Sequence, residues 1–280
     1  MTNPVWTKVT AVLAEEPEEW SNWAEVFERH GIAGTVQTDN PPTMSAYLAP
    51  GAEDAFPALR EELLDRGAQR VETELVPEED WAESWKQFFK PRYVGQFLIR
   101  PTWEEATVRD GAIEIVLDPG QAFGTGDHPT TRMCLELLES TVQDSSDVAD
   151  IGCGSGILSI AAMKLGAASV TAVDTDPLSI EATLENAERN HVAVDGRCGK
   201  GFEPLPQDSK YDVVVSNIIS AALISLAPET ARRIKAGGVW LVSGIIEANW
   251  NDVLKASERC GFQLKQVKSE GEWVAAALLR

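Results

Sequence analysis

The 280-residue chain has no run of about 18 apolar residues, and its cysteines form no CxxC pair. The first absence excludes a membrane-spanning helix of ordinary length. The second argues against a zinc site, so no metal is expected. Cys134, Cys153, Cys198 and Cys260 are expected to be reduced and mostly buried, as in a cytoplasmic protein. The N-terminal residues lack a basic segment followed by an apolar one, so no secretion signal is expected.

Positive charge is also scarce, because 24 Lys and Arg face 44 Asp and Glu, which gives a formal net charge of -20. Such a surface repels phosphate backbones, so direct nucleic-acid binding is not expected. A basic protein partner is favoured electrostatically, although an acidic surface also serves solubility. The hydrophobic fraction of 44% is sufficient for a buried core, and the length fits one large or two modest domains.

Residues 1–77 show strand and helix patterns in the order βαββαβ. Strand patterns cover 5–13, 32–37, 44–48 and 69–76, and helical patterns cover 17–30 and 53–66. This order is that of the ferredoxin-like arrangement. No catalytic constellation occurs in it, so we predict a substrate-recognition domain, with a purely structural cap as the alternative.

Residues 78–92 are predicted to form a linker helix. Four aromatic residues recur here: Trp85 lies four residues after Trp81, and Phe88 and Phe89 lie three and four residues after Trp85. These spacings place them on one helix face. The stripe is interpreted as packing between two domains rather than as a ligand site.

Residues 93–280 are predicted to form a Rossmann-like, doubly wound α/β domain. Two strands are expected at 96–100 and 112–117, and strands and helices alternate from residue 148 onward. The later strands are predicted at 148–151, 169–174, 211–216 and 239–243, with helices at 157–165, 177–190, 220–234 and 248–260, and a closing antiparallel pair at 263–267 and 273–279. Such alternation favours a mostly parallel sheet between helices, with a ligand at the carboxyl ends of the strands.

The segment 150–156 reads DIGCGSG and connects the first strand of this alternation to a helix. Its glycines permit a sharp turn and a close backbone approach to a ligand. The spacing is GxGxG, so the third glycine of the dinucleotide fingerprint, which places a pyrophosphate on the helix, is missing. S-adenosylmethionine needs the tight turn and carries no phosphate. Gly152 and Gly154 are therefore predicted to bind this cofactor.

Two strand ends carry further candidates. Asp174 can accept hydrogen bonds from both ribose hydroxyls of an adenosine, a device that dehydrogenases share. Asn217 can accept a hydrogen bond from an incoming amine. A neutral acceptor stabilises the unreactive ammonium less than a carboxylate would. Asn217 is therefore predicted to orient the acceptor amine without acting as a base.

The loop at 118–131 contains three glycines and precedes a helix that is predicted to begin near Pro129. Phe123 is predicted to shield the methyl-transfer site from water, on the substrate side. His128 is a candidate for proton transfer to or from the substrate, with capping or packing at the helix start as the alternative.

Four segments resemble the ribosomal protein L11 methyltransferase (PrmA) family: DWAESWKQFF at 80–89, the loop at 117–131 with AFGTG and HPTT, the glycine segment at 150–158, and NII at 217–219. The resemblance spans nearly the whole chain. Asp127 stands where the family usually has threonine, and Ser220 where it usually has alanine. Neither departure falls on a position that contacts the cofactor in the family.

The resemblance implies a class I methyltransferase fold and a cofactor, S-adenosylmethionine, held by Thr131, Gly152, Asp174 and Asn217. It also implies a recognition domain for the ribosomal protein and methylation of lysine ε-amines and the N-terminal α-amine. We expect a cytoplasmic, monomeric enzyme.

Other interpretations stay open. The same chemistry on another protein is one, as in the lysine methyltransferases of the electron-transfer flavoprotein. A non-catalytic module that binds the cofactor is another. Amide and adenine N-methyltransferases usually carry two prolines after the Asn or Asp at this strand end, which the sequence from Asn217 to Ser220 lacks.

Overall fold

The structure is a computed structural model, and it describes residues 5–17, 20–30, 32, 35–39, 41–49, 51–52, 55–77, 90–118, 126 and 128–280. The chain divides into two compact units, Met1–Phe88 and Phe89–Arg280. Most of the predicted linker helix, together with Phe123 and Asp127, lies outside the described residues. No helix among the described residues is long and apolar enough to cross a membrane.

The first unit contains four strands and two helices among its described residues. They are β1 (Val5–Val12), α1 (Ser21–Arg29), β2 (Thr35–Asp39), β3 (Pro42–Leu48), α2 (Phe56–Asp65) and β4 (Arg70–Pro77). The strands pair antiparallel in the order β2-β3-β1-β4. This is the ferredoxin-like topology that the sequence predicts.

The core of the first unit follows from the two-residue period of its strands. Val9 and Ala11 are fully buried and belong to the same hydrophobic cluster as Phe27 of α1 and Leu59 of α2. Successive side chains of a strand point to opposite faces of the sheet, so the apolar residues of β1 collect on one face. Burial of each large apolar side chain stabilises the fold by roughly 1.5–3 kcal/mol.

The second unit opens with a small three-stranded sheet. Its strands are β5 (Arg92–Val94), β6 (Phe97–Arg100) and β7 (Ile113–Val116), paired in that order. The side chain of Asn190 holds β7: its Nδ2 donates to the Val116 carbonyl at 2.6 Å, and its Oδ1 accepts from the Val116 amide at 2.8 Å. The Asn190 side chain thereby satisfies backbone groups of β7 that a neighbouring strand would otherwise pair, just before the loop at 118–131.

The main sheet of the second unit has seven strands. The elements are α3 (Pro129–Thr141), β8 (Asp147–Ile151), α4 (Ile157–Lys164), β9 (Ser169–Asp174), α5 (Pro177–Arg189), β10 (Asp195–Cys198), β11 (Tyr211–Asn217), α6 (Ser220–Arg233), β12 (Ile234–Ile246), α7 (Glu247–Arg259), β13 (Gln263–Glu270) and β14 (Trp273–Leu279). The strand order is β10-β9-β8-β11-β12-β14-β13, with β14 antiparallel to both neighbours. The order reverses between β8 and β11, which is where ligands bind in doubly wound sheets.

The run of valines in β11 reflects burial on both faces of the sheet. Val213 and Val215 join the cluster beneath α3 and α4, whereas Val214 joins the cluster that contains Leu223 of α6 and Val253 of α7. A parallel strand covered by helices on both sides reads as continuous apolar sequence rather than as an alternation. The predicted doubly wound fold is confirmed.

Several local predictions differ from the structure. Strand β5 was not predicted, and the described end of the predicted linker helix, residues 90–92, is not helical. Strand β10 was not predicted, because its sequence DGRC is short, polar and contains glycine. Strand β12 extends on both sides of the predicted segment 239–243. The expectation of mostly buried cysteines is wrong for Cys198, which is exposed, whereas Cys134 and Cys153 are buried.

Candidate active site

A cleft of about 1270 Å³ opens at the carboxyl ends of β8, β9 and β11. All five residues predicted to bind a cofactor line it, namely Thr131, Gly152, Gly154, Asp174 and Asn217. They come from separate places in the sequence, and the switch point of the sheet brings them together. Among the described residues, His128 is not part of the lining.

The glycine turn requires glycine for reasons of both conformation and space. Gly152 has a φ of +87°, and a Cβ there would lie 2.4 Å from Ile218 Cγ2. Gly156 has a φ of +81°, and a Cβ there would lie 3.0 Å from Thr183 Cα on α5. L-residues rarely adopt such φ values. Gly156, the last glycine of the GxGxG segment, therefore permits close packing of the turn against α5.

Asp174 organises the wall of the cleft beside this turn. Its Oδ2 accepts a hydrogen bond from the Gly154 amide at 3.0 Å, and its Oδ1 accepts one from the Asp176 amide at 3.1 Å. Asp176 caps α5, because its Oδ1 accepts from the Leu178 amide at 3.0 Å. Each carboxylate oxygen of Asp174 has a second lone pair, so both can also accept from ligand hydroxyls.

Asn217 lines the same cleft and carries an unsatisfied hydrogen-bond acceptor. Its Nδ2 donates to Thr131 Oγ1 at 3.3 Å. Its Oδ1 is buried and has no hydrogen-bond partner among the described residues. Leaving a buried carbonyl unpaired costs about 1–3 kcal/mol. Such groups are normally satisfied, so a bound molecule is expected to donate to this oxygen.

His128 lies at the start of α3, where it is the N-cap residue. Its Nδ1 accepts from the Thr130 amide at 3.4 Å and is in hydrogen-bond contact with Thr130 Oγ1 at 2.8 Å. The ring packs edge-on against Trp273, with the centroids 4.6 Å apart. Burial, followed by repulsion from Arg132, lowers the pKa of His128 below its usual value, whereas Glu270 acts in the opposite direction. This placement supports the capping interpretation.

The variant His128→Asn tests that interpretation. Asparagine is a good N-cap residue, so the thermal midpoint should change little, and kcat should stay within about threefold of the wild-type value. Steady-state rates between pH 6 and pH 9 provide the measurement. A loss of kcat of about 100-fold, with the fold intact, would instead assign proton transfer to the imidazole.

Part of the cleft wall was not predicted from the sequence. It comprises the segment after β10 and the first turns of α6: Gly199, Lys200, Gly201, Phe202, Glu203, Leu205, Ala221, Ala222, Ser225 and Leu226. Arg233 braces this region, because its Nε donates to Glu229 Oε1 at 2.7 Å and its guanidinium also donates to the Pro206 carbonyl. Recognition of β10 would have revealed this wall, since the residues that follow a parallel strand lie at the ligand-binding edge.

Behind the glycine turn, Asp150 is fully buried. Its Oδ2 accepts from Ser159 Oγ at 2.7 Å, and its Oδ1 has no partner among the described residues. Burial raises the pKa of Asp150 to about 7, and the nearby charge of Asp174 contributes to the increase.

The strand order, the glycine turn without the dinucleotide spacing, and the acid at the end of β9 define a class I S-adenosylmethionine-dependent methyltransferase. The sequence profile of the ribosomal protein L11 methyltransferase (PrmA) family matches residues 7–280. The chain belongs to this family.

Individual relatives agree with this assignment. The ribosomal protein L11 methyltransferase of Desulforamulus reducens is 38% identical over 272 residues, which cover 94% of this chain and 88% of the relative. That of Pelotomaculum thermopropionicum is 39% identical, with coverages of 93% and 83%. The crystal structure of ribosomal protein L11 methylase from Lactobacillus delbrueckii subsp. bulgaricus superposes with a TM-score of 0.62 at 33% identity, covering 66% of this chain and 94% of that chain.

Proposed function

We propose that this chain transfers methyl groups from S-adenosylmethionine to lysine ε-amines and the N-terminal α-amine of ribosomal protein L11. The observation that carries the proposal is the buried, unpartnered Oδ1 of Asn217 in a cleft that suits this cofactor. The names of the relatives support the identity of the protein substrate.

The residues of the cleft suit the cofactor in three ways. The turn at Gly152 and Gly154 would hold the methionine portion through its backbone, where a side chain at Gly152 would clash with Ile218. Asp174 would accept hydrogen bonds from the ribose hydroxyls. Thr131 would contribute its hydroxyl, which also accepts a hydrogen bond from Asn217. When bound, S-adenosylmethionine supplies a methyl group activated by its sulfonium.

Asn217 then acts on the acceptor. An amine with an ordinary pKa near 10 is almost fully protonated at neutral pH, and only its neutral form has a lone pair. The Oδ1 of Asn217 can accept an N–H of the neutral amine, while Thr131 holds the amide group in place. Orientation at a near-attack distance of roughly 3–3.5 Å is the contribution expected from such a residue.

The variant Asp174→Ala is expected to weaken S-adenosylmethionine binding by about 1–3 kcal/mol, which is roughly 5- to 150-fold in Kd. The loss includes the ribose acceptors and the contact with the Gly154 amide that shapes the turn. Calorimetric titration with the cofactor measures it. The control Asp252→Ala removes an exposed carboxylate from α7 and should bind normally. An unchanged Kd for Asp174→Ala would remove this residue from the cofactor site.

The remaining assignments extend the same proposal. Residues 1–77 would recognise the protein substrate, residues 78–92 would link the two domains, and residues 93–280 would carry catalysis. Phe123 and His128 would lie on the substrate side. A monomeric protein without direct nucleic-acid contacts is consistent with the acidic charge, and a ribosomal substrate implies a cytoplasmic location.

The decisive experiment incubates purified protein with methyl-labelled cofactor and unmethylated ribosomal protein L11, followed by mapping of the modified amines by mass spectrometry. Label on lysine ε-amines and on the α-amine is the expected result. Cofactor binding without transfer to ribosomal protein L11 or to other proteins of the same cell extract would indicate a non-catalytic module. Label on another protein alone would replace the substrate but keep the chemistry.

A further inference from the structure

A surface beside the cofactor cleft lies at the same edge of the sheet. Strands β11 and β12 end at this edge and the antiparallel strand β14 begins there, and these three strands are neighbours. Ile219 directly precedes α6 after the end of β11, Ile246 ends β12, and Trp273 begins β14. Ile246 and Trp273 are register partners. Among the described residues, those that line the cofactor cleft include none from β12 or β14.

Two apolar residues of this surface, Ile219 and Ile246, are exposed, whereas Trp273 packs against the hydrophobic core and edge-on against His128. Ile219 is 71% exposed and Ile246 is 39% exposed, and Trp273 is half-buried. Ile219 also lines the cofactor cleft, so the surface is continuous with the site beside Asn217. Single exposed apolar residues are ordinary, but apolar residues at three adjacent strand ends that border an active site indicate a binding surface.

Acidic residues complete the surface. Glu247 and Glu272 are exposed and are joined through their backbones, because the Glu247 amide donates to the Glu272 carbonyl at 2.8 Å. Within the part of the chain that the structure describes, neither carboxylate forms an ion pair. The nearby Arg132 is paired with Glu270. The two exposed carboxylates therefore add negative charge to this edge, and Glu247 also lies in the first turn of α7, where the helix N-terminus favours a carboxylate.

We propose that Ile219, Ile246, Glu247, Glu272 and Trp273 form the acceptor surface, which seats a lysine-bearing segment of the basic protein substrate. The inference rests on the proposed function. A lysine side chain combines an apolar stem with a terminal cation. The isoleucines would contact the stem as the amine reaches Asn217, and the carboxylates would attract basic residues that flank the target lysine.

Charge reversal tests the acidic part of the acceptor surface. The double variant Glu247→Lys/Glu272→Lys should raise the KM for ribosomal protein L11 about tenfold and weaken its salt dependence, with kcat and the Kd for S-adenosylmethionine unchanged. The control Glu188→Lys/Glu258→Lys makes the same change of net charge at two other exposed positions. This control should change KM less than twofold.

A second pair of variants tests the apolar part. Ile246→Ser should raise KM about threefold, whereas Val267→Ser, at a 49% exposed position on β13, should have no effect. Equal KM values in surface variants and controls would overturn the inference. So would a wild-type dimer that dissociates on Ile246→Ser, because the surface would then belong to a second copy of the chain.

Calorimetric binding of ribosomal protein L11 to the cofactor-loaded protein separates the two proposals. If the wild-type protein binds ribosomal protein L11 tightly but transfers no methyl group, the proposed function is contradicted. The effect of the acceptor-surface variants on binding can still be measured in that case. Surface variants that bind as tightly as their controls contradict the acceptor surface, even where the wild-type protein is an active methyltransferase.

Discussion

The variant Asn217→Ala is expected to lower kcat about 100-fold, because a misplaced acceptor amine loses alignment with the methyl donor. The Kd for S-adenosylmethionine should change much less, about threefold at most. The reason lies in the hydrogen bonds of the side chain. Nδ2 donates to Thr131, whereas the buried Oδ1 has no partner among the described residues and can accept from the amine. Single-turnover rates with ribosomal protein L11, together with cofactor titrations, provide the two numbers.

Two further variants sharpen this test. Asn251→Ala removes an exposed asparagine from α7 and should leave kcat and Kd unchanged. Asn217→Asp introduces a carboxylate that stabilises the ammonium form, so its rate should fall at neutral pH and recover partly as the pH rises. If Asn217→Ala altered kcat/KM and cofactor Kd equally while kcat stayed intact, the orienting role would be refuted.

The variant Asp150→Asn is expected to be more stable than the wild-type protein above neutral pH. The pKa of Asp150 rises from its ordinary value of 3.8 to about 7 in the folded protein, chiefly through burial. Between these values the folded state binds a proton that the unfolded state has released. The free energy of unfolding therefore falls as the pH rises through this window, and the loss is complete above pH 7.

Asparagine has the same shape as aspartate and does not ionise, so the variant escapes this loss. Its Oδ1 can still accept from Ser159. The stability advantage of Asp150→Asn should widen by on the order of 3 kcal/mol between pH 5 and pH 8. Urea titrations at several pH values, followed by tryptophan fluorescence, measure the difference. Asp252→Asn, at an exposed position, is the control, and a stability difference independent of pH would contradict the raised pKa.

Much of the fold follows from local patterns. The two-residue period of β1, the valine run of β11 and the helical periods between the strands report burial on one face or on two. The capping role of Asp176 and the glycine turn are equally local, because each depends on the chemistry of a few consecutive residues. The ferredoxin-like and doubly wound arrangements, the order of most elements and the five lining residues of the cleft could therefore be predicted from the sequence.

Other features were decided by the tertiary structure. Strand β10 forms from the polar segment DGRC because β9 offers a free edge, and the cleft wall that follows it was missed for the same reason. The unpaired oxygen of Asn217, the raised pKa of Asp150 and the meeting of Ile219, Ile246 and Trp273 at one edge depend on residues far apart in the chain. A sequence pattern records the periodicity of one element, whereas burial and adjacency arise only when several elements pack together.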